Sequence, residues 1–188
     1  LATPGAAQAE LLWRFTDSVH EVDQDSITDL VRTPDGGFWV ASRLQGAYYW
    51  HPRSTHFYHV RLPMPPAQQA MSAQPASYSP RAVLALAESP ANHLVLGTPN
   101  GLKRLDLLSG AVQDLAYPEP LPALFSRIVA RIYPDNADKL WLRSGNSLHL
   151  FAANNAEFLP LPLQDSQQQP LIQLQAAGHW RDHDGAFW

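Results

Sequence analysis

The sequence contains no cysteine among its 188 residues. Disulfide bonds, thiolate metal sites and cysteine nucleophiles are therefore excluded. Basic side chains are also few, with 13 Lys and Arg residues against 17 Asp and Glu residues and a net charge of −4. Because sequence-independent nucleic-acid binding needs clustered basic side chains against the phosphates, this composition argues against nucleic acid as a partner.

Long apolar runs are lacking as well. No stretch reaches the roughly 20 apolar residues of a membrane span, so we expect any membrane connection to lie outside this chain. Hydrophobic residues nevertheless make up 45% of the sequence, which is typical of a folded domain with a core. The 17 prolines are distributed among short apolar runs, and no window has helical periodicity. Both features predict an all-β protein.

The N-terminal residues allow two interpretations. The tripeptide Ala7-Gln8-Ala9 has the small-x-small form of a signal-peptidase site. Residues 1–9 are then a signal-peptide remnant, and the mature protein begins near Glu10 and is exported. Alternatively, they are an alanine-rich chain end without a function. The tripeptide and the repeats described next together favour export, and hence a periplasmic location.

One pattern of short strand-like runs recurs along the chain. In the first copy the runs lie at residues 27–31, 38–42, 48–50 and 57–60. The same order returns in residues 83–115 and 128–159, and a fourth copy opens at Leu171. Val95 and Trp141 are 46 residues apart, and Trp141 and Trp188 are 47 apart. A period of this length with four short strands per unit is typical of β-propeller blades.

We therefore predict that residues 10–188 form an all-β fold, a β-propeller fragment of about three complete four-stranded blades plus part of a fourth. The predicted blades span residues 26–62, 81–116, 126–162 and, incompletely, 171–188. Residues 63–79 are rich in Pro, Ala and Gln and have no strand pattern, so they are interpreted as a loop inserted between two blades.

Stacking of the blades follows from the pattern of apolar residues. A four-stranded sheet cannot bury both of its faces alone, but it buries them by stacking on its neighbours. Four residues occupy one equivalent position in the second strand and are predicted to pack between blades: Trp39, Val95, Trp141 and Trp188. Because an incomplete ring exposes apolar faces and sheet edges, we expect self-association as a dimer, or pairing with the remaining blades of a parent protein.

Residues 35–42 read Asp-Gly-Gly-Phe-Trp-Val-Ala-Ser, and residues 95–106 continue the pattern through Gly101 to Asp106. Together with Ile27 and Leu30, these motifs resemble the two-component-regulator propeller repeat. The resemblance covers residues 26–188, with Val95 in place of the usual Trp and Ser147 in place of a usual Gly. It implies the periplasmic sensor portion of a membrane-anchored histidine kinase or diguanylate cyclase, which senses a ligand or a partner and performs no catalysis in this chain.

Candidate ligand-binding residues lie in the loops that enter the first strand of a blade or leave its second strand. They are Arg43, Arg81, Asn100, Arg127, Arg143 and Asn146. Guanidinium groups bind carboxylates and sugar oxygens well, so this set suits an anionic small molecule or a carbohydrate. The alternative is that these are ordinary solvated loop residues.

Catalytic and metal-binding patterns are weak. His179 and His183 have the four-residue spacing of a metal pair, but they lie in a predicted strand and turn rather than on a helix. The sequence has no nucleophile-elbow or phosphate-loop motif, so we predict no catalytic residue, metal or cofactor. Two other functions remain open: a protein-interaction propeller without a small ligand, and a fragment of a propeller enzyme whose active site lies in other blades.

Overall fold

The described part of the protein consists of antiparallel strands, most of which pair with the next strand along the chain. The computed structural model describes residues 26–54, 56–63, 78–89, 92–115, 117, 127–136, 138–161 and 174–175. These residues contain thirteen strands and no helix. No helix long and apolar enough to cross a membrane was therefore found among them.

Three four-stranded sheets follow one another along the chain. Blade one consists of β1 (Ile27–Arg32), β2 (Phe38–Ser42), β3 (Gly46–Trp50) and β4 (Tyr58–Val60). Blade two consists of β5 (Ala85–Ser89), β6 (His93–Thr98), β7 (Gly101–Asp106) and β8 (Val112–Asp114). Blade three consists of β9 (Val129–Asn136), β10 (Lys139–Ser144), β11 (Ser147–Ala152) and β12 (Glu157–Leu159).

Each blade is a meander in which every strand pairs with the next one along the chain. A short strand from the fourth copy, β13 (Leu174–Gln175), pairs with the start of β11. The predicted fold class, an all-β propeller fragment with three complete blades and part of a fourth, is confirmed. Trp188 and the pair His179 and His183 lie outside the described residues.

Hydrogen bonds join the first strands of neighbouring blades. The carboxylate of Asp29 on β1 accepts a hydrogen bond from the amide of Leu86 on β5, at 2.8 Å. From β9, Nη1 of Arg131 lies 3.3 Å from the carbonyl oxygen of Thr28 and 3.5 Å from that of Leu84. One guanidinium group of blade three thus reaches the backbone of both other blades.

Two of the three core clusters of the described residues lie between blades. Trp39 packs with Leu86 and Leu94 in the cluster between blades one and two, and Val95 packs with Leu142 and Phe151 between blades two and three. The prediction that these second-strand residues pack between blades is confirmed for Trp39 and Val95. The equivalent Trp141 packs with Leu148, Leu150 and Leu161 in a separate cluster of blade three.

A buried hydroxyl group ends the second strand of every described blade, at Ser42, Thr98 and Ser144. Oγ of Ser42 accepts hydrogen bonds from the amides of Leu44 and Gln45, at 3.2 and 2.9 Å. In blade two, Oγ1 of Thr98 donates to the carbonyl of Gly101, at 2.8 Å, and accepts from the amide of Asn100. The hydroxyls of Ser42 and Thr98 thus satisfy backbone groups of the tight turn that leads into the third strand.

Thr98→Val is expected to destabilise the protein by about 1–2 kcal/mol, because it leaves the carbonyl of Gly101 and the amide of Asn100 without their hydroxyl partner. Urea unfolding measures this loss. Hydrogen exchange should also accelerate at the Asn100 amide, while the Arg104 amide further along β7 serves as the internal control. An unchanged unfolding midpoint would show that the hydroxyl does not stabilise the turn.

Candidate functional site

A cleft of about 650 Å³ opens between blades one and two, at the end where β1 turns into β2 and β5 turns into β6. Its volume lies within the range of small-molecule sites. Blade one contributes the aromatic side chains of Trp39, Tyr49 and Tyr58. We refer to this space as the interblade cleft.

Three carboxylates line the interblade cleft: Asp35, Glu88 and Asp106. Among the described residues that line the cleft there is no lysine or arginine, and the basic side chain present is that of His93. The cleft is therefore acidic as well as aromatic.

Asp35 is held in place by the turn between β1 and β2. Its carboxylate accepts hydrogen bonds from the hydroxyl of Thr33, from the hydroxyl of Tyr49 at 2.6 Å and from the amide of Gly37 at 3.2 Å. The hydrogen bond from Thr33 has the largest effect on the pKa of Asp35, and the three donors together lower it to about 2. Gly36 allows the turn because its φ of +90° is unfavourable for a residue with a side chain. Asp35 therefore remains ionised at neutral pH.

Tyr49 contacts both the turn that holds Asp35 and the ring of Trp39. Its ring contacts that of Trp39, with the centroids 5.1 Å apart and the planes tilted by 46°. Burial, followed by the hydrogen bond to Asp35, raises the pKa of its hydroxyl, which remains a donor. A side chain at Gly37 would collide with this ring, since a Cβ there would lie 2.3 Å from the Tyr49 oxygen.

Glu88 lies on β5 and is half-buried. Burial raises the pKa of its carboxyl group, and the negative charge of Asp35 raises it further. Within the described residues, the Glu88 side chain has no hydrogen-bond or ion-pair partner. Glu88 is thus a carboxyl group at the cleft that has no basic partner among the described residues.

Asp106 and His93 face each other across β6 and β7. Nε2 of His93 lies 3.6 Å from Oδ2 of Asp106. The same carboxylate accepts hydrogen bonds from the amides of Ser109 and Leu108, at 2.8 and 2.9 Å. Hydrogen bonds from Ser109 are the main reason that the pKa of Asp106 is lowered, so this carboxylate also stays ionised.

Three of the residues predicted from the sequence lie in equivalent turns at the opposite end of the blades. Arg43, Asn100 and Asn146 follow the second strand of blades one, two and three, respectively. The guanidinium group of Arg43 lies over the ring of Tyr78, 5.4 Å from its centroid. These three residues are thus related by their equivalent positions in the repeated turn.

The other three predicted residues lie near strand entries or within a strand. Arg81 precedes β5, Arg127 precedes β9, and Arg143 is part of β10. The Arg127 guanidinium lies over the ring of Tyr117, 6.0 Å from its centroid. None of the six predicted residues lines the interblade cleft or a second cleft of about 570 Å³ along the first strands. Ligand binding by these six residues therefore stays a prediction.

Two of the three charged side chains that line the second cleft join the blades. It is lined by Asp29, Glu88 and Arg131 together with apolar residues of β1, β5 and β9. Asp29 and Arg131 are already engaged in the bonds that join the blades. In the described part of the chain, no three His, Asp or Glu side chains are grouped as metal ligands.

Sequence reasoning missed Glu88, His93 and Asp106. A signal for Glu88 exists in the departure from the repeat. Strand pairing makes Glu88, opposite Leu94, equivalent to Arg32 opposite Phe38 and to Pro134 opposite Leu140. An acidic residue thus occurs in only one of the three described blades at this position.

Comparison with known proteins shows similarity of fold. No protein-family model matches the sequence. No curated protein matches it either. Among solved structures, the chain is similar to the extracellular domain of the proposed hybrid two component system BT3049 from B. thetaiotaomicron, with 18% identity and a TM-score of 0.53 over 86% of this chain. It is also similar to U3-55K, with 19% identity and a TM-score of 0.51 over 72% of this chain. The chain spans 25% of the first structure and 38% of the second.

Proposed function

We propose that the chain is part of the sensory propeller of a membrane-anchored signalling protein, located in the periplasm. The observation that carries this proposal is the stack of blades built from motifs that resemble the two-component-regulator propeller repeat. The fold likeness to the extracellular domain of BT3049 supports it. Since the chain spans 25% of that domain, the remaining blades and the output domain would belong to the rest of the parent protein.

In this proposal the chain recognises a ligand and the parent protein transmits the signal. An anionic or hydroxyl-rich small molecule would be bound by the guanidinium and amide groups of the six residues predicted from the sequence: Arg43, Arg81, Asn100, Arg127, Arg143 and Asn146. The output would come from a histidine kinase or diguanylate cyclase domain on the cytoplasmic side. Pairing of two copies, or of this chain with further blades, would cover the faces that a partial ring leaves open.

Cysteine labelling tests the location directly, because the chain has no cysteine of its own. Asn154 lies on an exposed turn between β11 and β12, so Asn154→Cys offers an accessible thiol. In cells whose outer membrane has been permeabilised, a maleimide that cannot cross the inner membrane is expected to label this variant of the parent protein at residue 154. The unmodified parent protein is the control. Labelling only after the inner membrane is broken would contradict the periplasmic location.

A further inference from the structure

The carboxylates that line the interblade cleft make it negatively charged, which disfavours an anionic ligand. Asp35 and Asp106 are both kept ionised by hydrogen bonds from neighbouring backbone and side-chain groups. Those bonds fix the carboxylates but do not remove their negative charge. A ligand that enters the cleft is therefore selected for positive charge.

Glu88 supplies the group that a cationic ligand would pair with. It lines the same cleft, is half-buried and lacks a partner within the described residues. A partly buried carboxylate near other negative charges is unfavourable, and a cation beside it relieves both the repulsion and the missing interaction.

The aromatic wall provides a second, independent attraction for a cation. Trp39 and Tyr49 meet at an angle, and both line the cleft together with Tyr58. Tyr58 is 56% exposed and reaches the turn between β7 and β8, where a Cβ on Gly110 would lie 2.9 Å from its hydroxyl oxygen. Faces of Trp and Tyr rings attract ammonium groups and also contact their apolar substituents.

The same lining distinguishes an organic cation from a metal ion. The described residues include no group of three potential metal ligands, whereas apolar and aromatic side chains dominate the walls of this 650 Å³ space. We propose that the interblade cleft binds an organic ammonium ion with an apolar substituent, with Glu88 as its counter-ion and Trp39, Tyr49 and Tyr58 around it. This site is distinct from the six residues predicted from the sequence, and binding to it does not depend on the sensory role or on the location of the protein.

Three matched probes test the charge preference on the purified chain. The probes are 2-phenylethylammonium, the neutral 2-phenylethanol and the anionic 3-phenylpropionate, and calorimetry with tryptophan fluorescence measures their binding. The ammonium ion is expected to bind at least tenfold more tightly than the alcohol, and the anion more weakly than either. Equal binding of the ammonium ion and the alcohol, or absence of binding by the ammonium ion to folded chain, would overturn the proposal.

Two variants locate the site. Glu88→Gln removes the charge with little change in shape and is expected to weaken ammonium binding about tenfold. Glu157→Gln makes the same change on an exposed residue of blade three, where Glu157 contacts Asn155, and is expected to leave binding unchanged. Tyr58→Leu, at an exposed position on β4, is expected to weaken binding severalfold. If Glu88→Gln binds the ammonium ion as tightly as the unmodified chain, Glu88 is not the counter-ion and the proposal fails.

Discussion

Lowering the pH from 7 to 4 is expected to destabilise the protein by about 3 kcal/mol through one side chain, His149. His149 is 0% exposed on β11. Its Nε2 lies 2.7 Å from Oγ of Ser147, and its ring meets that of Phe158 edge-on at 5.7 Å. Burial disfavours the charged imidazolium and lowers the pKa of His149 to about 4.

The direction of the effect follows from proton binding in the two states. In the unfolded chain a histidine titrates near its ordinary pKa of about 6.5. Between that value and about 4, the unfolded state binds a proton that the folded state does not, so stability falls as the pH falls through this window. Each unit of difference in pKa corresponds to about 1.4 kcal/mol, and the loss levels off below pH 4.

Urea unfolding between pH 4 and pH 7.5 measures this contribution. His149→Leu removes the titrating group from the core, so its stability should change less over the window than that of the unmodified protein, by about 3 kcal/mol. His56→Leu, on an exposed bend of blade one, is the matched control and should retain the acid response. An acid response of the same size in His149→Leu would show that other groups cause it.

Phe151→Ala is expected to destabilise the protein by about 3–5 kcal/mol. Phe151 is 0% exposed and belongs to the cluster between blades two and three. Its ring packs edge-on against Tyr117 and Phe158, with centroids 6.0 and 5.3 Å away. Because hydrogen-bonded sheets lie on both sides of the site, we expect the resulting cavity to collapse only partly, which places the loss in the upper part of the range for core truncations.

The comparison of midpoints in urea unfolding checks this prediction. Leu108→Ala is the control, because Leu108 is 83% exposed on the turn between β7 and β8 and its truncation should change stability by less than about 0.5 kcal/mol. Phe151→Leu should fall between the two, since it keeps part of the buried volume. A loss below about 1 kcal/mol for Phe151→Ala would contradict the role of this ring in joining blades two and three.

Much of the fold could be predicted from the sequence because its information is local and repeated. Four strands per blade, the Asp35-Gly36 turn and the packing position of Trp39 and Val95 are each set by short stretches of sequence. A meander joins every strand to the next one along the chain, so the order of the runs in the sequence is also the order of strands in each sheet.

The interblade cleft could not be predicted in the same way. Asp35 followed by Gly36 is typical of a tight turn, and the hydrogen bond from the Gly37 amide agrees with that role. Its position beside Glu88 exists only after blade two stacks on blade one. Tyr117 is a comparable case outside the cleft. It follows β8 without a strand pattern, yet its hydroxyl accepts a hydrogen bond from the Leu102 amide at 2.8 Å and its ring packs on blade three. The repeat predicts which second-strand residues pack between blades, but it does not predict which other side chains of two blades meet, because that depends on how the blades stack.

The reading frame of the parent protein on both sides of residues 1–188 is the most direct test of the sensory role. The account predicts a signal peptide upstream, further blades downstream, and then one membrane span followed by a histidine kinase or diguanylate cyclase domain. A frame that completes a ring of blades and ends without a membrane span would contradict it.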